Sequence, residues 1–374
     1  MASAAAPAAA AAPKAGVEAV RARAKAAVLG GIVADAATMP LHWIYDVPKM
    51  NQLLADAGRS PAAPEFFPTP SCPFYNLETP GQGQPAAAVN HGLGDNSPYG
   101  EELFPLASTL AAGGAGGLDE GAYARAFVEF FEAGPSYRNA SVRGVLAAWA
   151  EGKRGRDVGH PTDHQANCFA KVPLLVARYA GSPELMDKVE AAVRVQQNND
   201  RAVLFGKAGA ALLERVVLGA SLEDALSWAA AGPPGVDAEA AALIQGALAT
   251  RAAPLRELTF EPLPYMADMM KKHMDLKDEL PPFTTAVWCN GPACGNPAAF
   301  ANVAMAAAHF SQSYVDGVRA NLMAGGDNCS RSCLIGALLA AANGLESIPA
   351  DWAAQTKRYP EYERFADAIT AHLQ

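Results

Sequence analysis

Apolar residues recur at helical spacing along almost the whole chain and seldom alternate at period two, so helices are predicted throughout, with little or no sheet. The first helix is predicted over Val17–Thr38. Val17, Val20, Ala24, Ala27, Val28 and Gly31 share one face, and Arg21, Arg23 and Lys25 fall on the wet side. Its second half is small and apolar apart from Asp35, and Pro40 ends it. Gly30-Gly31 would let another helix approach closely. Further helices are expected at 48–57, 120–133 with Asp119 as cap, 141–152, 167–179, up to Val195, 201–218, 237–250, 298–310 and 314–323 with Ser313 as cap. Ala350–Gln355 and Glu361–Leu373 complete the series.

The stretch Met323–Gly344, MAGGDNCSRSCLIGALLAAANG, stands apart. Gly325-Gly326 opens it, the polar cluster Asp327–Ser332 follows, and Cys333–Ala342 is small and apolar on every side. A helix apolar all round is a central one. A polar cluster at its mouth therefore lies near the interior, where polar groups need hydrogen bonds, a ligand or a metal. A second polar stretch, Asp95–Glu102, opens the helix that continues through Leu103, Leu106, Ala107 and Leu110. Adjacent carboxylates at a helix start suit its dipole, and they also suit a hard cation. Asp35 is either paired or part of a site, and His42 is either a packed histidine or a ligand. The segment 59–98 carries eight prolines and no apolar period, yet contains Phe66, Phe67, Phe74 and Tyr75; it reads as a packed loop over a site. The loop 153–165 is rich in Asp and His, and Asn290-Gly291-Pro292 and Gly295-Asn296-Pro297 place Cys294 in a turn.

Composition narrows the function. In 374 residues, 51% are hydrophobic and 18% charged, which is globular. A net charge of -9 argues against nucleic acid or an anionic membrane as partner, and no uninterrupted apolar run spans a bilayer. The six cysteines form no CxxC pair, so a zinc ribbon is not expected, and their number suggests a reducing compartment. Residues 1–16 are an Ala/Pro low-complexity segment, expected to be disordered, ahead of one domain at 17–374. They lack the apolar core of a secretory signal; a cytoplasmic location is expected, with an organelle transit peptide as the alternative. There is no dinucleotide fingerprint, Walker loop, nucleophile elbow or HExxH.

Six short motifs, in order, resemble the ADP-ribosylglycohydrolase family, most closely its selenoprotein J and J-crystallin branch, from about Val28 to Trp352. Gly31–Pro40, GIVADAATMP, is similar to the first motif and continues with Leu41–Asp46 as in that branch. Tyr99–Glu102 falls where the family has Thr-Asp-Asp. Asn167–Leu175 resembles its segment ending in Pro-Leu, and Gln197–Arg201 its T-H-x-D-x-R. Gly325–Ser330, GGDNCS, lies on G-G-D-x-D-[ST], and Asn343–Trp352 matches the closing G-x-x-x-I-P-x-x-W.

The resemblance implies an all-α, single-domain orthogonal bundle that hydrolyses an N- or O-glycosidic ADP-ribosyl bond with Mg²⁺. The implied ligand is an ADP-ribose-like small molecule or an ADP-ribosylated protein. Carried over, Glu101, Glu102, Asp327 and Ser330 are the metal residues. Glu101, Glu102 and Asp35 are the catalytic candidates, and Asn167, Asn328 and His42 the ligand-binding ones. Cys329 stands where the family has the second aspartate of its Asp-x-Asp pair, and thiolate is a poor Mg²⁺ ligand, so one or two ions are implied, with Cys329 against the second. Gly100 replaces the threonine. A divergent hydrolase and a structural, crystallin-like or ligand-binding protein without turnover are therefore both expected readings. Whether Cys329, Glu101 and Glu102 converge with Asp327 on one cavity discriminates them.

Overall fold

The computed structural model describes residues 15–68, 92–134, 136–252, 255–258 and 263–373. The low-complexity residues 1–14 and the part of the proline-rich loop that holds Phe74 and Tyr75 lie outside the described residues. Among those described there is no strand; two isolated bridges, Ile44 with Gly326 and Gln165 with Gly295, are the β pairings.

The helices run in chain order as α1 (Val17–Thr38), α2 (Val47–Asp56), α3 (Pro98–Glu101), α4 (Leu103–Ala112), α5 (Glu120–Ala133) and α6 (Ala140–Ala150). Then come α7 (Asn167–Ala170), α8 (Val172–Tyr179), α9 (Leu185–Gln196), α10 (Asp200–Val217), α11 (Leu222–Ala230) and α12 (Ala238–Ala249). The last are α13 (Ala267–Asp275), α14 (Pro282–Asn290), α15 (Ala298–His309), α16 (Tyr314–Met323), α17 (Asn328–Asn343), α18 (Ala350–Gln355) and α19 (Tyr359–Thr370). Caps set several boundaries where the sequence places them. Asp119 accepts from Ala122 N at the start of α5, and Ser313 from Asp316 N at the start of α16. The expected single helix over 167–179 is instead two, because α7 ends at Lys171 and Pro173 stands at the start of α8.

Two helices form the axis. Every residue of α17 from Asn328 to Ala341 is buried, as is α1 from Ala26 to Thr38. They pack antiparallel: Gly30 faces Gly336 and Ala340, Gly31 faces Cys333, and Thr38 meets Ser332. The glycines permit this. A Cβ at Gly30 would lie 2.7 Å from the Gly336 carbonyl oxygen, and one at Gly31 2.7 Å from that of Cys333. Residues 17–41 are long and apolar enough to cross a bilayer, but 94% of the most apolar 18-residue window in them is buried inside the bundle, the signature of a core helix. The antiparallel pairing brings the end of α1 to the beginning of α17, so the polar residues of both helices meet at one end. A smaller apolar cluster, including Leu41, Ile44, Met50, Met270 and Trp288, packs beneath that end.

Gly336→Ala is expected to destabilise. Its Cβ would fall 2.4 Å from the Gly30 carbonyl oxygen and 2.5 Å from Ala34 Cβ, both rigid neighbours. Overpacking of this kind costs about 1–3 kcal/mol, read as a lower midpoint of thermal or denaturant unfolding. Gly246→Ala, with nothing within 4 Å of the added atom, is expected to stabilise by about 0.5–1 kcal/mol. An unchanged midpoint for Gly336→Ala would mean that the glycines do not set the helix separation.

Candidate functional site

Asp327 occupies the residue before α17, where an N-cap is expected, yet its side chain makes no cap bond. Its carboxylate turns outward and accepts from Trp43 Nε1, Tyr45 OH and, at 3.1 Å, Cys294 N. The bridge between Ile44 and Gly326 brings those aromatics in: Trp43 N donates to Gly326 O at 3.0 Å, and Gly326 N to Ile44 O at 2.8 Å. Trp43 reaches this position with φ of 63°, the left-handed region that bulky residues rarely adopt. Beneath, Arg331 is fully buried and donates to Asn321 Oδ1, Pro292 O and Gly325 O at 2.9, 2.9 and 3.0 Å. It locks both the Gly325-Gly326 turn and the 292–294 loop, and burial lowers its guanidinium to about 10.

His42 is fully buried behind this layer. Its Nδ1 lies 3.0 Å from Asn328 Oδ1 and its Nε2 3.8 Å from Asp327 Oδ1. Burial pulls its pKa down to about 4, so the ring is neutral at pH 7 and its approach to Asp327 is not an ion pair. Asn328 donates to Leu41 O and Leu322 O, fastening the end of α1 to the end of α16. Ser330 Oγ donates to the Asp327 carbonyl at 2.6 Å. Cys329 is wholly buried in the apolar core, with Sγ 3.8 Å from Asp35 O. It points back onto α1.

Asp35 is also fully buried. It accepts from Asn96 Nδ2 at 3.0 Å, Ser97 N at 2.8 Å and Ser97 Oγ, so it anchors the loop that leads into α3. A Cβ at Gly100 would come 2.2 Å from Asp35 Oδ2. The glycine at this position is therefore matched to the aspartate beneath it. Burial raises Asp35 to about 6, against the hydrogen bonds from Ser97 and Asn96, which favour ionisation.

Glu101 and Glu102 diverge. Glu101 Oε2 accepts from Ser136 Oγ, and its other oxygen lies 3.8 Å from Arg358 Nη2. Glu102 accepts from Asn139 at 2.5 Å and Asn167 at 2.7 Å. Burial raises its pKa, opposed by the nearby Lys171 ammonium. Lys171 is itself completely buried; it donates to Gln196 Oε1 at 2.6 Å, and desolvation lowers it to about 8. The charge of Lys171 is thus answered by Glu102 at the break between α7 and α8.

The cleft that these layers support has a volume of about 640 Å³. Asp327 and Tyr45 form its floor, the 293–298 loop one wall, and His160, Asp163, His164 and Gln165 another, with Tyr265 at the mouth. Of the site residues carried over from the family resemblance, only Asp327 lines it. Asp35, His42, Glu101, Glu102, Asn167, Asn328 and Ser330 stand behind it as buried supports. Trp43, Tyr45, Asp163, Cys294 and Asn296 were not assigned from sequence. The Asp/His-rich loop and the Asn-Gly-Pro and Gly-Asn-Pro turns around Cys294 were the available signals. A separate groove of about 450 Å³ beside Arg178 and His372 touches none of these residues.

The fit to magnesium can be read from the donors. The carboxylates of Asp327, Glu101 and Glu102 each receive N–H or O–H groups, and Ser330 Oγ is turned onto a carbonyl. Among the described residues, no three His, Cys, Asp or Glu side chains gather closely enough to hold a metal ion. As arranged, the four residues do not fit a magnesium pair.

Comparison with known proteins places this geometry in a lineage. The family model described as ADP-ribosylglycohydrolase matches residues 17–374. Crystallin J1A of Tripedalia cystophora is 29% identical over 371 residues, covering 94% of this chain and 97% of its own. Crystallin J1B of the same animal is 28% identical over 369 residues, covering 94% and 97%. Among solved structures, a chain of an "ADP-ribosylglycohydrolase-related protein complex" superposes with TM-score 0.63 at 17% identity, covering 96% of this chain and all of that one, which shows the same all-α fold.

Asp35 gives a pH prediction. An acid whose folded pKa is raised binds more protons folded than unfolded between the two values, so its contribution falls as pH rises. From 3.8 to about 6, the wild type loses up to about 3 kcal/mol through this group. Asp35→Asn lacks that loss, so its stability deficit relative to wild type is expected to narrow between pH 4 and 7. Unfolding midpoints of both proteins across that range are the measurement; a constant deficit would show that Asp35 ionises normally in the fold.

Proposed function

The chain belongs to the ADP-ribosylglycohydrolase family, and from that premise we propose that it is a divergent member which holds a ribosyl-containing small molecule, the class to which ADP-ribose belongs, in the cleft above Asp327, without the two-magnesium hydrolysis. One observation carries this reading. Asp327 presents its carboxylate to the cleft already held by Trp43, Tyr45 and Cys294, while Cys329, at the position of the second acidic ligand, is packed in the core. A carboxylate held by protein donors is oriented for hydrogen bonds to a ligand's hydroxyl or N–H groups. The crystallin relatives, similar over nearly their whole length, are consistent with a role that needs no turnover.

The residues of this chain divide the work. Trp43 and Tyr45 fix the angle of Asp327, and Arg331 fixes the turn that carries it. His42, neutral and buried, fills the space behind. Glu102, Asn167 and Lys171 support the helix break beneath the Asp163 wall. Magnesium-dependent cleavage of an ADP-ribosyl bond is the second reading, favoured by Asp327 facing a cleft, with Glu101 and Glu102 behind it at the junction of α3 and α4.

Magnesium at millimolar concentration is expected to leave the unfolding midpoint unchanged, because an ion that binds the folded state would raise it by mass action. A rise that Asp327→Asn abolishes would favour the hydrolase. Calorimetric titration with a ribosyl panel, ADP-ribose and adenosine included, is expected to give saturable binding to at least one member without metal, weakened tenfold or more in Asp327→Asn. A folded protein that binds none of the panel, with or without magnesium, would sink the binding reading.

A further inference from the structure

The floor and the mouth of the cleft come from segments far apart in the chain, and one buried histidine joins them. His273, on α13, has no exposed surface. Its ring lies flat on the indole of Trp288, with centroids 3.5 Å apart and planes 7° apart. Its two nitrogens have fixed roles. Met269 O, one turn back in α13, lies 2.8 Å from Nδ1; a carbonyl can only accept, so Nδ1 carries the proton. Val47 N lies 3.2 Å from Nε2; a backbone N–H can only donate, so Nε2 offers its lone pair. Val47 opens α2, where a helix leaves its first N–H groups without partners of its own. The histidine caps it from another helix.

Both sides of this contact reach the cleft. Val47 follows Tyr45 by two residues, and Tyr45 lies at the floor, bonded to Asp327. Tyr45 meets Trp288 edge-on at 6.4 Å, and Trp288 Nε1 donates to Ala324 O at 2.9 Å, just before the Gly325-Gly326 turn. On the other side, α13 follows Leu263 and Tyr265, which line the cleft, and Met270 Sδ accepts from Leu263 N at 3.3 Å. A second polar link between α13 and the start of α2, Lys272 to Asp46 at 3.0 Å, is exposed on both sides and holds little.

We propose that His273 is an acid-sensitive clasp between the floor and the mouth: a proton taken up at Nε2 sets N–H against the Val47 N–H, parts α13 from the start of α2, and loosens the cleft's grip on its ligand. The effect on the ligand rests on the reading that the cleft holds a ribosyl compound; the clasp stands without it. The groups around the ring set the sign. Burial disfavours the imidazolium; Met269 O and Asp46, at the head of α2, oppose that, and Lys272 beside it on α13 adds repulsion. The positive end of the α2 dipole also meets the ring. From α14 comes the uncharged Trp288. An indole face attracts a cation, but imidazolium needs an acceptor for each of its two N–H groups, and Nε2 faces a donor. The balance lowers the ring from its ordinary 6.5. The clasp is therefore fully closed above that pH and is lost as pH falls.

Hydrogen exchange of the full-length protein at pH 7.5 and 5.0, corrected for the intrinsic pH dependence of amide exchange, tests the clasp. The peptides to follow are those covering Val47 and residues 263–275. His273→Gln keeps an acceptor and cannot titrate. Protection in the wild type is expected to fall about threefold or more at pH 5.0, and in His273→Gln less than half as much. No fall in the wild type, or an equal fall in both proteins, would overturn the clasp. Should the variant not fold, the ring ¹⁵N resonances of the wild type decide: Nε2 is expected to be unprotonated at pH 7.5, and a proton there at that pH would overturn the proposal. Adenosine, uncharged at both pH values, is then titrated calorimetrically. Its binding is expected to weaken about threefold or more in the wild type at pH 5.0 and to hold in His273→Gln. The same response in both proteins would overturn the link to the cleft. Failure of adenosine and ADP-ribose to bind at pH 7.5 would overturn the ribosyl-binding reading instead, and exchange alone would judge the clasp.

Discussion

The close approach of α1 and α17 is the constraint on which the rest depends. Helices normally pack with axes 8–10 Å apart, and bulkier side chains hold them at the upper end. Gly30, Gly31 and Gly336 remove the side chains that would keep these two apart, so backbone meets backbone at the centre of the bundle. The pairing is antiparallel, and its polar end therefore gathers residues from both helices. Thr38 bonds Ser332, His42 meets Asn328, and Cys329 lies against Asp35. Every other layer of the site is built outward from that end.

Much of this was legible in the sequence. The double glycine in α1 announced a close neighbour, the all-apolar run after Cys333 announced a central helix, and Asp119 and Ser313 marked helix starts that the structure reproduces. These are local signals. What the sequence concealed were choices between partners far apart in the chain. Asp327 is a good N-cap residue, but Trp43 and Tyr45, more than 280 positions away, compete for its carboxylate. Cys329 follows Asn328 at the helix start with nothing in its own neighbourhood to say that it faces α1. The walls of the cleft come from 160–165 and 293–298, joined by the bridge between Gln165 and Gly295, and neither stretch has the periodicity that exposes a helix.

Several buried charged groups in this protein are held by dedicated partners. Arg331 feeds three acceptors, Asp35 receives three donors from one loop, and Glu102 and Lys171 share a break between helices. Such networks stabilise only when fully satisfied, since a half-satisfied one costs more than an apolar core. They also connect this chain's departures from the family motifs to their neighbours. Gly100 leaves space that Asp35 fills. The acidic residues at 101 and 102, longer by a methylene than aspartate, reach Ser136 on one side and Asn139 and Asn167 on the other.

Trp43 has a consequence of its own. Its indole bonds the carboxylate at the cleft floor, stacks on His42 with centroids 5.8 Å apart and meets Tyr137 edge-on at 5.7 Å. Indole emission responds to hydrogen bonding and to nearby charge, and the hydrogen bond and the two ring contacts hold this indole in place. The protein thus carries an intrinsic fluorophore wired to the group a ligand would touch. Occupancy of the cleft can be followed by light in the unlabelled molecule, with Trp43→Phe subtracting the signal of the other four tryptophans.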